Sequence, residues 1–211
     1  MNDEIFAIET LTISDSEMAE HTDEAILEAT YQALCKHGYP ATSISRITDE
    51  FDKSTSLLYY HYEDKENLFE DLLCHLLDQL EEQLVDFDQE GPYDYLMAVI
   101  DQLLPTQVNN NQFRFQRALL ELRSQAPHID AYHKQFERFD EFVLSEFTTA
   151  IENGIERGVF REIDPEQTAE FIYSAVYGAL ERGVTLEDAS LLQQTRQTLE
   201  EYVRANMLVE K

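Results

Sequence analysis

From Lys53 to Tyr62 the chain reads KSTSLLYYHY, a run with one cation and no acid. Its chemistry-bearing groups are the hydroxyls of Thr55 and Ser56, the phenols of Tyr59 and Tyr60, and the imidazole of His61. Leu57 and Leu58, turned inward on a short helix, would leave these groups on or near the outer side. Such side chains hydrogen-bond to base edges, sugars and phosphate oxygens. Ser43 and Ser45 stand near the start of a preceding helix, where N-terminal amides favour a phosphate. This is the chemistry of recognition rather than of bond making. All six glycines are isolated, so there is no phosphate-cradling loop, and no GxSxG, CxxC or HExxH occurs. His128 and His133 do not share a helix face well and lie in no metal-ligand spacing. Cys35 and Cys74 each sit in a helical apolar pattern and read as buried thiols. No catalytic residue, metal or cofactor is expected.

The elements that must hold these groups follow from apolar spacing. Ile44, Ile47 and Phe51 recur at three and four residues, one face of a helix capped by Ser43. Asp52-Lys53-Ser54 breaks it, and Ser54 caps a second helix. Asp64 caps a third, from Lys65 to about Phe87, carrying Leu68, Phe69, Leu72, Leu73, Leu76, Leu77, Leu80 and Leu84 inward. Ahead of them, Thr22 caps a helix over Asp23 to Lys36 with Ala25, Ile26, Ala29, Ala33 and Leu34 as its stripe, closed by Gly38. Two short helices at an angle, the second exposing hydroxyls and aromatics, have a shape that enters a DNA major groove. Helical patterns then recur over Tyr93–Leu104, Phe113–Gln125, Ile129–Gly158, Pro165–Gly183 and Asp188–Met207, with no strand-like alternation. The expected fold is all-α: an arm over residues 1–21, a helix-turn-helix module over 22–68 and a larger helical body over 69–211.

The run Gly38-Tyr39, Thr42-Ser43, Ile47, Leu58-Tyr59-Tyr60-His61-Tyr62, Asp64-Lys65-Glu66 and Leu68 resembles the helix-turn-helix of the TetR/AcrR family of transcriptional regulators. The resemblance covers about residues 20–75. It implies a ligand-responsive repressor that binds a double-stranded DNA operator and is released by a small amphipathic effector; with no membrane-length apolar run, the chain is expected in the cytoplasm. Tyr59 matches the family's phosphate-binding tyrosine, and Lys65 the lysine that reaches phosphate beside the long helix. Thr55, Ser56, Tyr60 and His61 match positions facing the groove. The family's turn differs: Asp52 stands where glycine is usual, Thr55 where a basic residue is common and Ser56 where glycine follows. Lys53 would supply part of the missing phosphate grip. The last two helices, with Ala175, Gly178 and Ala179 among larger apolar residues, would pair with a second copy as a four-helix interface.

Charge sets a problem for this reading. There are 43 acids and 15 Lys and Arg, a formal net charge of -28. Phosphate repels such a molecule in dilute salt. The acids are spread along every helix and Arg outnumbers Lys, a composition resembling haloarchaeal, salt-in proteins. At molar salt the screening length falls to about 3 Å and self-repulsion is harmless. An adaptor module that has lost DNA binding is the alternative. No stretch approaches the ~18 consecutive apolar residues of a membrane helix.

A second acid-poor zone runs from Gln102 to Leu120. It reads either as a buried central helix, or as an effector pocket lined by Leu103, Phe113, Phe115 and Leu119. In the pocket reading, Arg114 or Arg117, on one helical face, meets an anionic head group of an amphiphile.

Overall fold

The computed structural model describes residues 20–50, 55–85, 91–104 and 110–209. These form α1 (Glu20–His37), α2 (Ile44–Asp49), α3 (Thr55–His61), α4 (Lys65–Val85), α5 (Pro92–Leu103), α6 (Asn110–Arg123), α7 (Asp130–Glu156), α8 (Pro165–Leu186) and α9 (Ala189–Tyr202). Among the described residues there is no strand, and the architecture is all-α. Phe51, Asp52, Lys53 and Ser54 lie outside the described residues, as do most of the 1–21 arm and the side chains of Thr22, Thr55, Ser56 and Leu57. α1 already begins at Glu20, so Thr22 lies inside the helix instead of capping it.

The chain divides into two compact units, Met1–Leu76 with Asn109–Gln135, and Leu77–Val108 with Phe136–Lys211. In the first, the apolar stripes turn inward as expected, except that Ala25 and Ile44 are only half-buried. Ile26, Ala29, Ala33 and Leu34 of α1 are buried, as are Ile47, Leu58, Leu68, Phe69, Leu72, Leu73 and Leu76. α6 packs in the same unit and buries Phe115, Ala118, Leu119 and Leu122. Each large side chain removed from water contributes roughly 1.5–3 kcal/mol, which is what seats these short helices. Ser43 caps α2, its Oγ accepting from Arg46 N at 3.4 Å, and Asp64 Oδ1 accepts from Asn67 N at 2.9 Å at the head of α4. Cys35 and Cys74 are half-buried thiols, less enclosed than their patterns suggest, and burial pushes Cys35 up from the usual thiol range.

In the second unit, Leu96, Val99 and Ile100 of α5, Val143, Phe147 and Ile151 of α7, and Ile172 and Val176 of α8 make the core. Asp164 caps α8 through Gln167 N at 3.0 Å, with Pro165 in the first turn. α8 runs to Leu186, three residues beyond the expected Gly183, where Glu187 at φ 52° ends it, and Asp188 caps α9. Arg196 of α9 grips Asp101 of α5 with two nitrogens, at 2.6 and 3.0 Å, the planar fork geometry suited to a carboxylate. The last helix does not continue to Met207 as an α-helix. Val203–Met207 winds wider, as a π turn, and its end is claimed by the loop after α7. Arg161 donates its backbone N–H to Met207 O at 2.7 Å and its Nε to Leu208 O at 2.7 Å, while Val209 N reaches Val159 O at 3.0 Å.

Phe160, in that loop, packs its ring on Gly154 of α7. A Cβ at Gly154 would fall 1.9 Å from the ring. Gly154→Ala therefore overpacks a site bounded by a rigid aromatic, and should cost about 1–3 kcal/mol, read as a lower denaturation midpoint at unchanged helical content.

Candidate nucleic-acid interface

α3 is only seven residues long, so its orientation rests on what it buries. Leu58 is 0% exposed and Tyr62, four residues on, 7%. Side chains four apart lie on one face, and anchoring both fixes the roll of the helix. The three residues between them are thrown outward: Tyr59 is 59% exposed, Tyr60 84%, and His61 is exposed with its ring edge-on to Tyr60 at 5.4 Å. Large exposed rings are otherwise few among the described residues. Ser43 and Ser45 are exposed at the first turn of α2. Of the predicted DNA-contact set, the structure brings Ser43, Ser45, Tyr59, Tyr60 and His61 to the exposed sides of α2 and α3. Thr55 and Ser56 are placed on α3 by their backbone alone, and Lys53 lies outside the described residues.

Lys65 differs from a free arm. Its Nζ donates to the carbonyl of Tyr39 and lies 3.9 Å from the centre of the Tyr39 ring and 5.3 Å from that of Phe69. Loss of water lowers the affinity of this amine for its proton, and the neighbouring Glu66 partly offsets that. An ammonium has three donors, so one internal hydrogen bond leaves donors for a phosphate.

Arg46 is a residue that sequence reasoning passed over. It is exposed on α2 and donates from Nη1 to Ala41 O at 2.7 Å, beside the Ser43 cap. The signal was present in the charge balance. Between Lys36 and Tyr62, the cations Lys36, Arg46 and Lys53 equal the acids Asp49, Glu50 and Asp52 in number, in a chain of net charge -28. Lys36 is tied to Glu50 at 2.6 Å, which leaves Arg46 the more available of the two described cations.

The expected effector residues separate. Leu103 is buried in the second unit, whereas Phe113, Arg114, Phe115, Arg117 and Leu119 belong to the first. Phe115 and Leu119 are core; Phe113 and Arg114 are half-buried; Arg117 is exposed. Arg114 Nη2 donates to Gln32 Oε1 of α1 at 3.1 Å. In the second unit a cleft of about 190 Å³ is lined by Pro92, Tyr95, Thr149, Ala150, Asn153 and Arg157. Among the described residues, no group of three His, Cys, Asp or Glu side chains is placed to hold a metal ion.

A family model described as bacterial regulatory proteins of the tetR family matches residues 26–72, and one described as the C-terminal region of BetI-type transcriptional repressors matches residues 92–207. The chain belongs to the TetR family. A TetR transcription regulator from Haloarcula marismortui is similar with a TM-score of 0.83 and 36% identity, over 89% of this chain and 99% of that one. A transcriptional regulator from Saccharomonospora viridis, in complex with choline, shares the fold at a TM-score of 0.81 and 16% identity, over 90% of this chain and 100% of its own. The HTH-type transcriptional regulator YhgD of Bacillus subtilis is 23% identical, over 74% of this chain and 80% of YhgD. TetR regulators are ligand-responsive DNA-binding repressors, and this chain is a DNA-binding transcriptional regulator of that kind. The adaptor alternative finds no support.

The geometry separates two stability classes within the interface of this TetR regulator. Tyr60→Ala should leave the denaturation midpoint almost unchanged, because the ring is in water. Lys65→Met should lower stability by about 1–2 kcal/mol, through the lost Tyr39 bond and ring contact. Urea melts of the two variants check the contrast.

Proposed function

We propose that the chain binds duplex DNA as a homodimer, with α3 in the major groove and residues 22–68 as the DNA-binding module. Tyr59 and Lys65 take phosphates, joined by Arg46 and by Ser43 and Ser45 at the start of α2. Thr55, Ser56, Tyr60 and His61 face base edges and sugars, and Lys53 adds a phosphate contact. The observation carrying this is the outward Tyr59-Tyr60-His61 triplet between the buried Leu58 and Tyr62.

α8 and α9 are the proposed dimer surface. Phe171 is 51% exposed and rests against Tyr202, with ring centres 5.0 Å apart. A Cβ built on Gly178 meets nothing within 4 Å, so this glycine leaves an opening that another helix can approach closely. The chain acts in the cytoplasm and performs no catalysis; among the described residues no helix is long and apolar enough to cross a membrane.

The effector is a small amphipathic molecule acting on residues 69–211. An anionic head meeting Arg114 or Arg117 follows from the acid-poor stretch. A cationic head is the second reading, favoured by the half-buried phenol–carboxylate pairs of the second unit, Tyr95 with Glu146 and Tyr173 with Asp140. Aromatic rings and carboxylates suit a quaternary ammonium ion such as the choline bound by the S. viridis protein. Thermal shift with choline and with a medium-chain carboxylate checks the two: choline raises the melting temperature on the second reading, the carboxylate on the first.

The acidity is an adaptation to molar salt, and it gives the DNA reading its sharpest test. A duplex selected by the protein from a random library should be bound with affinity that holds or rises as KCl approaches molar levels. Cations are then taken up between acidic protein and phosphate as well as released. Failure to enrich any duplex removes the DNA reading; a steep loss of affinity with salt removes the adaptation.

A further inference from the structure

Tyr39, in the turn between α1 and α2, is held from both sides. Its backbone N–H donates to Glu121 Oε2 of α6, and its carbonyl accepts from Lys65 Nζ of α4. Its buried ring lies under the Lys65 ammonium and edge-on to Phe69 at 5.1 Å. Its hydroxyl is 3.4 Å from that of Tyr132, which donates to Glu66 O at 3.3 Å. The turn is shaped for the carboxylate. Gly38 has φ +74°, and a Cβ there would lie 3.0 Å from Glu121 Oε2. Thr42 Oγ1 ties the turn back to Gly38 O at 2.8 Å. All these residues belong to one compact unit.

We propose that Glu121 is a positioning residue for DNA binding: it fixes Tyr39, and Tyr39 fixes the Lys65 ammonium where a phosphate is met. Both hydrogen bonds on Tyr39 involve a charged partner, the stronger class of such bonds, and they pull on opposite sides of one residue. A lysine has a long, rotamer-rich side chain, so an ammonium held by a carbonyl and a ring face arrives at DNA with much of its ordering already done. Withdrawing the carboxylate leaves a half-buried N–H unpaired and frees the turn that supplies that carbonyl. The consequence is that a residue on α6, which never touches DNA, sets the strength of a contact made at the head of α4.

The inference rests on the reading that Lys65 meets phosphate, and a double-mutant cycle tells the two apart. The probe is the duplex selected by the wild-type protein. Lys65→Met should weaken binding about tenfold, the scale of one charged hydrogen bond. Glu121→Ala, or Glu121→Leu where the alanine variant does not fold, should weaken it by a similar factor. The double variant should then bind no worse than about threefold below Lys65→Met alone, because linked residues lose their effect together. Glu121→Gln, which keeps an acceptor, should restore most of the affinity. Amide exchange at Tyr39 should quicken in the Ala or Leu variant and not in the Gln variant. Additive losses in the double variant, or a Glu121 variant that binds like wild type while Lys65→Met is weakened, would overturn the proposal and leave the Lys65 contact standing. Wild-type affinity in Lys65→Met would remove the contact itself, and the proposal with it.

Discussion

The burial of Leu58 and Tyr62, one helical turn apart, is the constraint on which the proposed recognition surface depends. A seven-residue helix has little stability of its own, since nucleating a turn costs more than a few internal hydrogen bonds return. α3 therefore exists because these two side chains have somewhere to go. Their spacing sets the roll of the helix, and the roll decides which rings meet water. A turn of 100° about the axis would bring Tyr59 inward and put Leu58 in its place, leaving a leucine wetted and a phenol without a partner. Ile47 on α2 does the same for the serines of the preceding helix.

Electrostatics accounts for the rest of that surface. A molecule with net charge -28 approaches a polyanion only where its own field is weak. The stretch from Lys36 to Tyr62 provides such a place by balance rather than by a basic patch. Its acids are matched by cations, Glu50 is held by Lys36, and α3 itself carries no carboxylate. Hydroxyls and phenols read a groove through hydrogen bonds, which screening by salt weakens less than it weakens exposed ion pairs.

Much of this was legible in the residues. Apolar spacing located the helices to within a few positions, and of the expected caps Ser43 and Asp64 fall at helix starts in the structure. The errors have physical origins. α1 is already helical at Glu20 and His21, ahead of the Thr22 that reads as its cap. α9 gives way to a wider turn at Val203 because the strand-like segment Val159–Arg161 competes for its terminal carbonyls, a contact between residues far apart in the chain that periodicity does not register. Lys65 and Arg114 mark the same limit from the other side. Their types and positions were plain, but a carbonyl from the α1–α2 turn and an amide from α1 each take one of their donors. Long-range partners of flexible cations are the part of a binding site that a linear pattern conceals.

The unit that contains the helix-turn-helix is discontinuous, closing only with α6 and the opening of α7, up to Gln135. During synthesis the amino-terminal helices emerge first, yet Phe115, Leu122 and Tyr132, which complete their core, are still to be translated. A nascent chain stalled or cut short before that point has its reading head without its wall. Completion of the unit that carries the helix-turn-helix is thereby deferred until translation has passed Tyr132, well beyond the middle of the chain.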